Sequence, residues 1–529
     1  MIRKNVAEIL DDHVTFELEA IDRIYLNAYV PSLQTGGGMA YFLKAQLGVR
    51  VPSTVMVAPM SERFVDALER LAETEGVDLV TFKKGQRKDD VAHTYLAKFQ
   101  GEEGVLFVGK AQEKTSVFRT EKRRDATGKT YPWIIRSTAM PNHYYVYVVD
   151  RDFGPLFIKF CSYFPYAAKL CLNGHEWLKR QLTQRGIPFE PLDNGIRSSD
   201  QAGRVQRIAD TLDAGKIDAV FRKWLRRLPH PFLPAHRAAG YRYQLSILQA
   251  EFALTQVLDR PITGRCFFEE VIRENLDIGR PDQMQLIFNR RITRRTPGSF
   301  RTRVLTEGVV PSLHVQYKKS KVKQYHKENQ ALRTETTIND TYDFAIGRAL
   351  RNLPALREIG FAANRRLLHV ESLSHDCLIG EDTLAAVSQP IVVQDQRAAG
   401  LRFGDRRVLA LMQTLCLFAL SPTGFRHRDV RTHVAQLLGR DPDGYAAGSM
   451  TYDLRRLRLH GLIERVPKSH RYRVTMLGAR LAMLYVRLYA RAVRPAASLQ
   501  PPGSARGRQA FDRLDAALAH FLEEVKLAA

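Results

Sequence analysis

The stretch "SMTYDLRRLRLHG", Ser449 to Gly461, runs straight into "LIERVPKSHRYRVT", and together they decide how the C-terminal part of the chain is read. The first piece sets Leu454, Leu457 and Leu459 at inward-packing helical positions, offers Ser449 or Thr451 as an N-cap, and ends on a glycine suited to a helix C-terminus. Its expected outer face carries Arg455, Arg456 and Arg458. The second piece alternates apolar and polar residues in "LIERV" and "RYRVT" on either side of "PKSH", which predicts a hairpin bearing Lys468, His470, Arg471 and Arg473. Working outward, "DRRVLALMQTLCLFAL" predicts an apolar helix from Asp405 to Leu420, Arg428 to Leu438 a second, and "MLGARLAMLYVRLYARAV" a closing helix.

Helix, helix, basic helix, basic hairpin and closing helix, over about 90 residues, resemble the winged helix-turn-helix superfamily. The resemblance implies a third helix lying in the DNA major groove and a wing touching the adjacent backbone. It carries no base sequence with it, since arginines on such a helix serve either guanine edges or phosphates.

Charge points the same way. Eighty Lys and Arg against 56 Asp and Glu give a formal +24 and an isoelectric point near 9.9, the balance of a protein that meets a polyanion. No amphipathic basic segment, signal-peptide pattern or long apolar run accompanies it, which favours nucleic acid over a membrane surface and predicts a cytoplasmic protein. Five cysteines without CxxC spacing argue against a disulfide framework or a structural zinc, and read as buried small hydrophobes.

A chain of 529 residues exceeds what one hydrophobic core supports. The expected architecture is mixed α/β and multi-domain: a basic α/β domain over 1–130, an α/β domain over 131–280, a basic β-rich domain over 281–400, the winged-helix domain over 401–495, and a linker with a terminal helix over 496–529. Within these, Tyr131 to Gly174 reads as strands and Asp200 to Ile278 mainly as helices. "TGGG" (Thr35–Gly38) reads as a glycine turn without the Lys-Ser/Thr of a phosphate loop.

Basic residues recur in runs. Arg119, Lys122 and Arg123 stand near Phe107 and Phe118, a pairing suited to phosphates and unpaired bases. Arg290, Arg291, Arg294 and Arg295 form a second run, and Lys318, Lys319, Lys321 and Lys323 a third. Several such strands facing one way would make a groove for a nucleic-acid backbone.

Two stretches are candidates for chemistry. From Asn142 to Ile196 the order is a strand ending at Asp150, a hairpin, a third strand, a helix from His175 and a fourth strand ending at Asp193, which resembles the opening of a ribonuclease H-like core as found in DDE transposases and integrases. The resemblance implies that Asp150 and Asp193 hold Mg²⁺ or Mn²⁺, oxygen-loving ions that drive in-line phosphoryl transfer. A third acid is expected on a later helix: Glu251, with Glu269, Glu270 and Glu274 as substitutes. Asp-Asn-Gly is equally a plain turn sequence. The other stretch, "SLHVQYKKSKVKQYHKENQALRTETTIND", predicts two long strands, Leu313 to Tyr325 and Ala331 to Ile338, carrying Tyr317, Tyr325, Lys327, Glu328 and Glu335. It looks like the sheet of rolling-circle initiators but lacks their His-x-His pair; Arg333 is expected to pair Glu335 or a phosphate.

The expected function is DNA binding in replication, recombination or a mobile element. A metal-dependent nuclease or transposase is the alternative, a structured-RNA-binding protein a third, and no cofactor beyond Mg or Mn is implied.

Overall fold

β1 (Val14–Tyr29) buries Phe16, Leu18 and Ala20 and then Ile24, Leu26 and Ala28, an alternation that seats a long strand between two neighbours. In this computed structural model the described residues are 6–274, 287–288, 290, 296–305, 312–328, 330–373, 381–393, 395–418, 424–441, 445–467, 469–489 and 513. They divide into two compact units, one of His13–Cys266 with Pro297–Arg365, the other of Met1–Asp12, Phe267–Thr296 and Arg366–Ala529. The protein is mixed α/β with several sheets, and no described helix is long and apolar enough to cross a membrane.

The first unit is built on one eleven-stranded sheet. After β1 come β2 (Leu79–Thr81), β3 (Gly104–Gln112), β4 (Thr115–Arg124), β5 (Thr130–Ala139), β6 (Asn142–Asp150), β7 (Gly154–Cys161) and β8 (Ala168–Asn173). β9 (Glu190–Leu192), β10 (Gly195–Ser198), β11 (Gln244–Leu258), β12 (Phe300–Leu305), β13 (Ser312–Tyr317), β14 (Ser320–Lys327) and β15 (Ala331–Ile338) follow. The order across the large sheet is β12-β13-β14-β15-β11-β1-β8-β7-β6-β3-β2, while β4 pairs β5 and β9 pairs β10 in separate two-stranded ribbons. Strands from the segments 1–130, 131–280 and 281–400 are thus hydrogen-bonded in a single sheet, and the expected boundary at 130 falls inside the unit that holds it.

Four expectations are corrected. "SILQAEFALTQVL" lies in β11, a strand and not a helix. The segment is buried on both sides in mid-sheet, so its apolar run carries no period to separate the two. The long strand expected over Leu313 to Tyr325 is two strands, folded at Lys318, which takes a left-handed φ of 53°. "TGGG" is no turn but the start of a helix, Gly36–Leu47, with Thr35 as its N-cap. The glycines there permit close approach: a Cβ on Gly36 would stand 2.2 Å from the carbonyl oxygen of Ile134 on β5. Cys266, expected buried, is exposed.

One face of the sheet is apolar, with Ile24, Leu26, Ile158, Phe160, Leu170 and Phe252 buried, each contributing about 1.5–3 kcal/mol. The helix Leu353–Leu373 meets it: Asn364 accepts from Thr336 Oγ1 at 2.6 Å and donates to the Phe252 carbonyl at 2.8 Å.

In the second unit, β16 (Ile391–Val393) and β17 (Gln396–Ala398) form a hairpin. Helices Arg406–Phe418, His427–Leu437 and Ala447–Leu459 follow, then β19 (Ile463–Arg465), β20 (Arg471–Val474) and the helix Met476–Leu488. β18 (Phe425–Arg426) completes a three-stranded sheet in the order β18-β20-β19. Val408, Leu411, Leu415, Val430, Val434, Leu454, Leu457 and Leu481 share its core. The expected helix over Phe511 to Lys526 lies outside the described residues.

Gly36→Ala should lower the thermal midpoint, since overpacking against a fixed carbonyl costs about 1–3 kcal/mol. Gly37→Ala, with open space around it, should leave it unchanged or raise it by up to about 1 kcal/mol of helix propensity. Scanning calorimetry on both variants checks the pair.

Candidate metal centre

β1, β11 and β15 are neighbours, and each contributes one carboxylate to a single point. The register of β1 on β11 slips between Ile21 and Ile24, so that two consecutive residues, Asp22 and Arg23, stand opposite Glu251. Such a bulge re-aims a side chain. On the other side Glu251 faces Thr337 and Ala253 faces Glu335, which makes Glu251 and Glu335 diagonal neighbours on one face. Ligand oxygens of Asp22, Glu251 and Glu335 lie within 4.8 Å of one another, the one such acidic or His/Cys trio among the described residues.

Asp22 is the anchor. Arg333, fully buried on β15, donates to its Oδ2 at 2.9 Å, and Asn194 donates to Oδ1 at 2.8 Å. Arg333 also donates to the Asn194 carbonyl at 2.6 Å and meets His175 Nε2 at 2.6 Å. Burial disfavours the Asp22 anion, yet the Arg333 guanidinium together with His175 and the hydrogen bonds of Asn194 and Glu335 outweighs it and holds the pKa well below the usual carboxylate range. His175 is pushed down to about 3 by burial and by Arg333, so its imidazole is neutral and accepts from the guanidinium. Glu335 is pushed up by burial and by the Asp22 charge, so of this close pair Asp22 is the stronger acid. Glu251 is pushed up to about 7 by burial and by the charges of Glu335 and Asp22, against the pull of Arg23 and Lys321. Tyr325, whose hydroxyl donates to Glu335 Oε2 at 3.4 Å, is pushed up by burial and the same carboxylate.

A hard divalent cation suits this point. Oxygen ligands about 2.1 Å from a common ion lie at most about 4.2 Å apart, so small side-chain movements bring the trio into reach. Two of the three carboxyls are biased toward the protonated form by burial and then by their neighbours' negative charge, a repulsion that a cation relieves. Around them, buried polar atoms find no protein partner: the hydroxyls of Thr337, opposite Glu251, and Thr255, opposite Arg333. Interior hydroxyls without partners mark a place for water or an ion.

The same face continues across β14, β13 and β12 as a basic strip. Lys323 faces Glu335, His314 faces Lys323 and Arg303 faces His314; Lys321, Gln316 and Arg301 form the adjacent row. A cavity of about 240 Å³ is lined there by Arg301, Arg303, His314, Gln316, Lys319, Lys321 and Asn339. Lys319 is tied to Asp340 at 2.7 Å, and Lys318 sits at the turn.

Of the acids expected from the sequence, Glu251 is in the trio. Asp150 is fully buried, and its oxygens are taken by Lys223 at 2.8 Å, by the Trp224 indole at 2.9 Å and by the amides of Asp152 and Phe153. The strand registers put it on the face opposite that of Glu251. Asp193 is exposed in the β9–β10 turn, 4.0 Å from Lys327. The next residue in that turn, Asn194, is the one that touches Asp22. β9, expected as the fourth strand of a ribonuclease H-like core, pairs with β10 outside the large sheet. Side chains of Glu269, Glu270 and Glu274 lie outside the described residues. Arg333 pairs Asp22, where Glu335 or a phosphate was expected.

Among the basic candidates, Arg119, Lys122 and Arg123 are exposed on β4, whereas Phe107 is core and Phe118 is half-buried. Arg290 is described; Arg291, Arg294, Arg295 and Lys468 lie outside the described residues. Arg455 and Arg458 are exposed on the helix Ala447–Leu459, but Arg456 is not on its outer face: it is buried, donating to the carbonyls of Ala399 and Gly400. It shares the inner face with Leu454 and Leu457 through one helical turn. His470 and Arg473 are exposed, while Arg471 is half-buried and donates to the Gly424 carbonyl at 3.1 Å. No family model, no curated protein and no solved structure matches this chain.

The sign of the Glu251 shift sets a pH test. The folded protein keeps a proton that the unfolded chain, with its ordinary value of 4.5, has released, so Glu251 costs stability as pH rises from about 4.5 to about 7. Glu251→Gln should therefore raise the thermal midpoint relative to the native protein more at pH 8 than at pH 5. Mn²⁺ should stabilise the native protein, by about 2.7 kcal/mol at a hundred times its Kd, more at pH 8 than at pH 6, and leave the variant unmoved. An equal Mn²⁺ shift in both proteins would remove the trio as the site.

Proposed function

We propose that this chain is a divalent-cation-dependent phosphodiester-processing enzyme that binds DNA, of the nuclease or transposase class. The observation that carries the reading is the Asp22, Glu251 and Glu335 trio beside a basic strip on one sheet face. A bound Mg²⁺ or Mn²⁺ would supply a Lewis acid for the phosphate and a readily ionised water. The chain's own residues do the rest. The carboxylates hold the cation, Arg333 fixes Asp22, and Lys321 and Lys323 neutralise the phosphate oxygens. In hydrolysis the water oxygen bonds to phosphorus, the P–O bond to one sugar oxygen breaks, and that oxygen leaves with a proton.

The test is labelled duplex DNA, single-stranded DNA and RNA incubated with the protein in Mg²⁺ or Mn²⁺, beside Glu251→Gln. Cleavage or strand transfer should fall on the order of 10²–10⁴-fold in the variant. Turnover that survives the substitution, or none by the native protein on any of the three, overturns the catalytic reading.

The C-terminal unit supports a DNA-binding role. Its order of helix, strand, two helices and a two-stranded hairpin, with Arg455, Arg458, His470 and Arg473 exposed, supports reading it as a winged helix. On this reading Arg455→Glu with Arg458→Glu weakens duplex binding and lowers its salt dependence, while Arg456→Met chiefly lowers the thermal midpoint. Duplex affinity unchanged in the double variant, measured by fluorescence anisotropy across a salt series, would remove the helix from the interface.

A further inference from the structure

β4 and β5 form a ribbon outside the large sheet, paired from Thr115↔Ala139 to Arg124↔Thr130. Its root is held by Gly36 against Ile134 and by Thr54 against Thr120, whose hydroxyls lie 3.2 Å apart. Beyond the root, one face presents Tyr131 and Trp133 with their rings edge to face, centroids 6.3 Å apart. Trp133 is 47% exposed and Tyr131 36%. Arg123 lies over the Trp133 ring at 5.2 Å. The ribbon carries six cations (Arg119, Lys122, Arg123, Arg124, Lys129 and Arg136) against two acids, Glu121 and Asp125. Both acids are engaged locally, Glu121 by Arg123 at 2.7 Å and Asp125 by Thr127 and the Lys129 amide.

We infer that this ribbon is a stacking arm for single-stranded nucleic acid. Exposed aromatic rings cost free energy in water, and a base laid on them gains contact with a flat apolar face while the flanking cations meet its phosphates. An unpaired strand is the occupant, because bases in a duplex already spend both faces on their neighbours. The inference rests on the reading that nucleic acid is the substrate and names the form of it that the arm holds.

The arm reports on itself. The chain has three tryptophans, of which Trp177 and Trp224 are buried, so quenching of tryptophan emission by added ligand reads Trp133. Titration of the full chain with a thymidine oligonucleotide in EDTA should quench emission in step with binding followed by anisotropy of the labelled oligonucleotide. Trp133→Ala should weaken binding roughly 5- to 150-fold, the range of one stacked base; Trp133→Phe should retain most of the affinity with no quenching. Binding that saturates without quenching overturns the inference. Quenching by duplex but not by single strands, or on raising the protein concentration alone, overturns it in favour of a groove contact or a second copy of the chain. Because EDTA removes cleavage, quenching with a catalytically silent protein sinks the metal-centre reading and keeps the arm; cleavage without quenching does the reverse.

Discussion

The buried ion pair between Asp22 and Arg333 is the constraint around which the middle of the sheet is arranged. Taking two charges out of water costs several kcal/mol per ion, and their attraction offsets this only when the remaining hydrogen-bonding capacity is also met. Here most of it is met, by Asn194 from the β9–β10 turn and His175 from the start of the helix Gly174–Gln184. Two distant segments are thereby fixed to β1 and β15, the strands on either side of β11. A hydrophobic pair of the same volume would hold the strands at least as well. The pair's distinguishing effect is to keep Asp22 ionised in the interior.

An ionised Asp22 then governs its neighbours. Burial and its charge together push Glu335 and Glu251 up, the bias that a cation placed between the carboxyls would relieve. Tyr325 and the Thr337 and Thr255 hydroxyls belong to the same neighbourhood, and the lysines of β14 give it a positive margin. Charge is therefore divided along one face: negative on the three central strands, positive on the three strands beyond them. A phosphodiester laid across the boundary would meet cations at one end and carboxylates at the other.

Much of this was legible in the sequence, and the failures have physical causes. The C-terminal helices and hairpin were readable because their apolar spacing is local and their ends carry recognisable turns. Glu251 was singled out, but on a helix, since a strand buried on both faces loses the alternation that would reveal it. Asp22 was missed although "AIDRIY" sets two charged residues inside an apolar strand; a bulge is what makes such a pair tolerable, and bulges have no signature in periodicity. "LDNG" drew attention to the right turn, one residue early. Asp150 was plausible at a strand end, but Trp224 and Lys223, far along the chain, claim its oxygens.

The basic residues divide in the same manner. A count of arginines on a helix cannot separate Arg456 from Arg455 and Arg458, because the distinction lies in which side the helix turns to its core. The carbonyls of Ala399 and Gly400, which accept from its guanidinium, make Arg456 an internal tie. On the ribbon, Phe107 and Phe118 were the aromatics nearest in sequence to the cations, yet the exposed rings are Tyr131 and Trp133, brought beside Arg123 by the antiparallel register. Proximity along the chain is a poor guide wherever a hairpin intervenes. The strand opposite decides which side chains share a surface, and with it what that surface can bind.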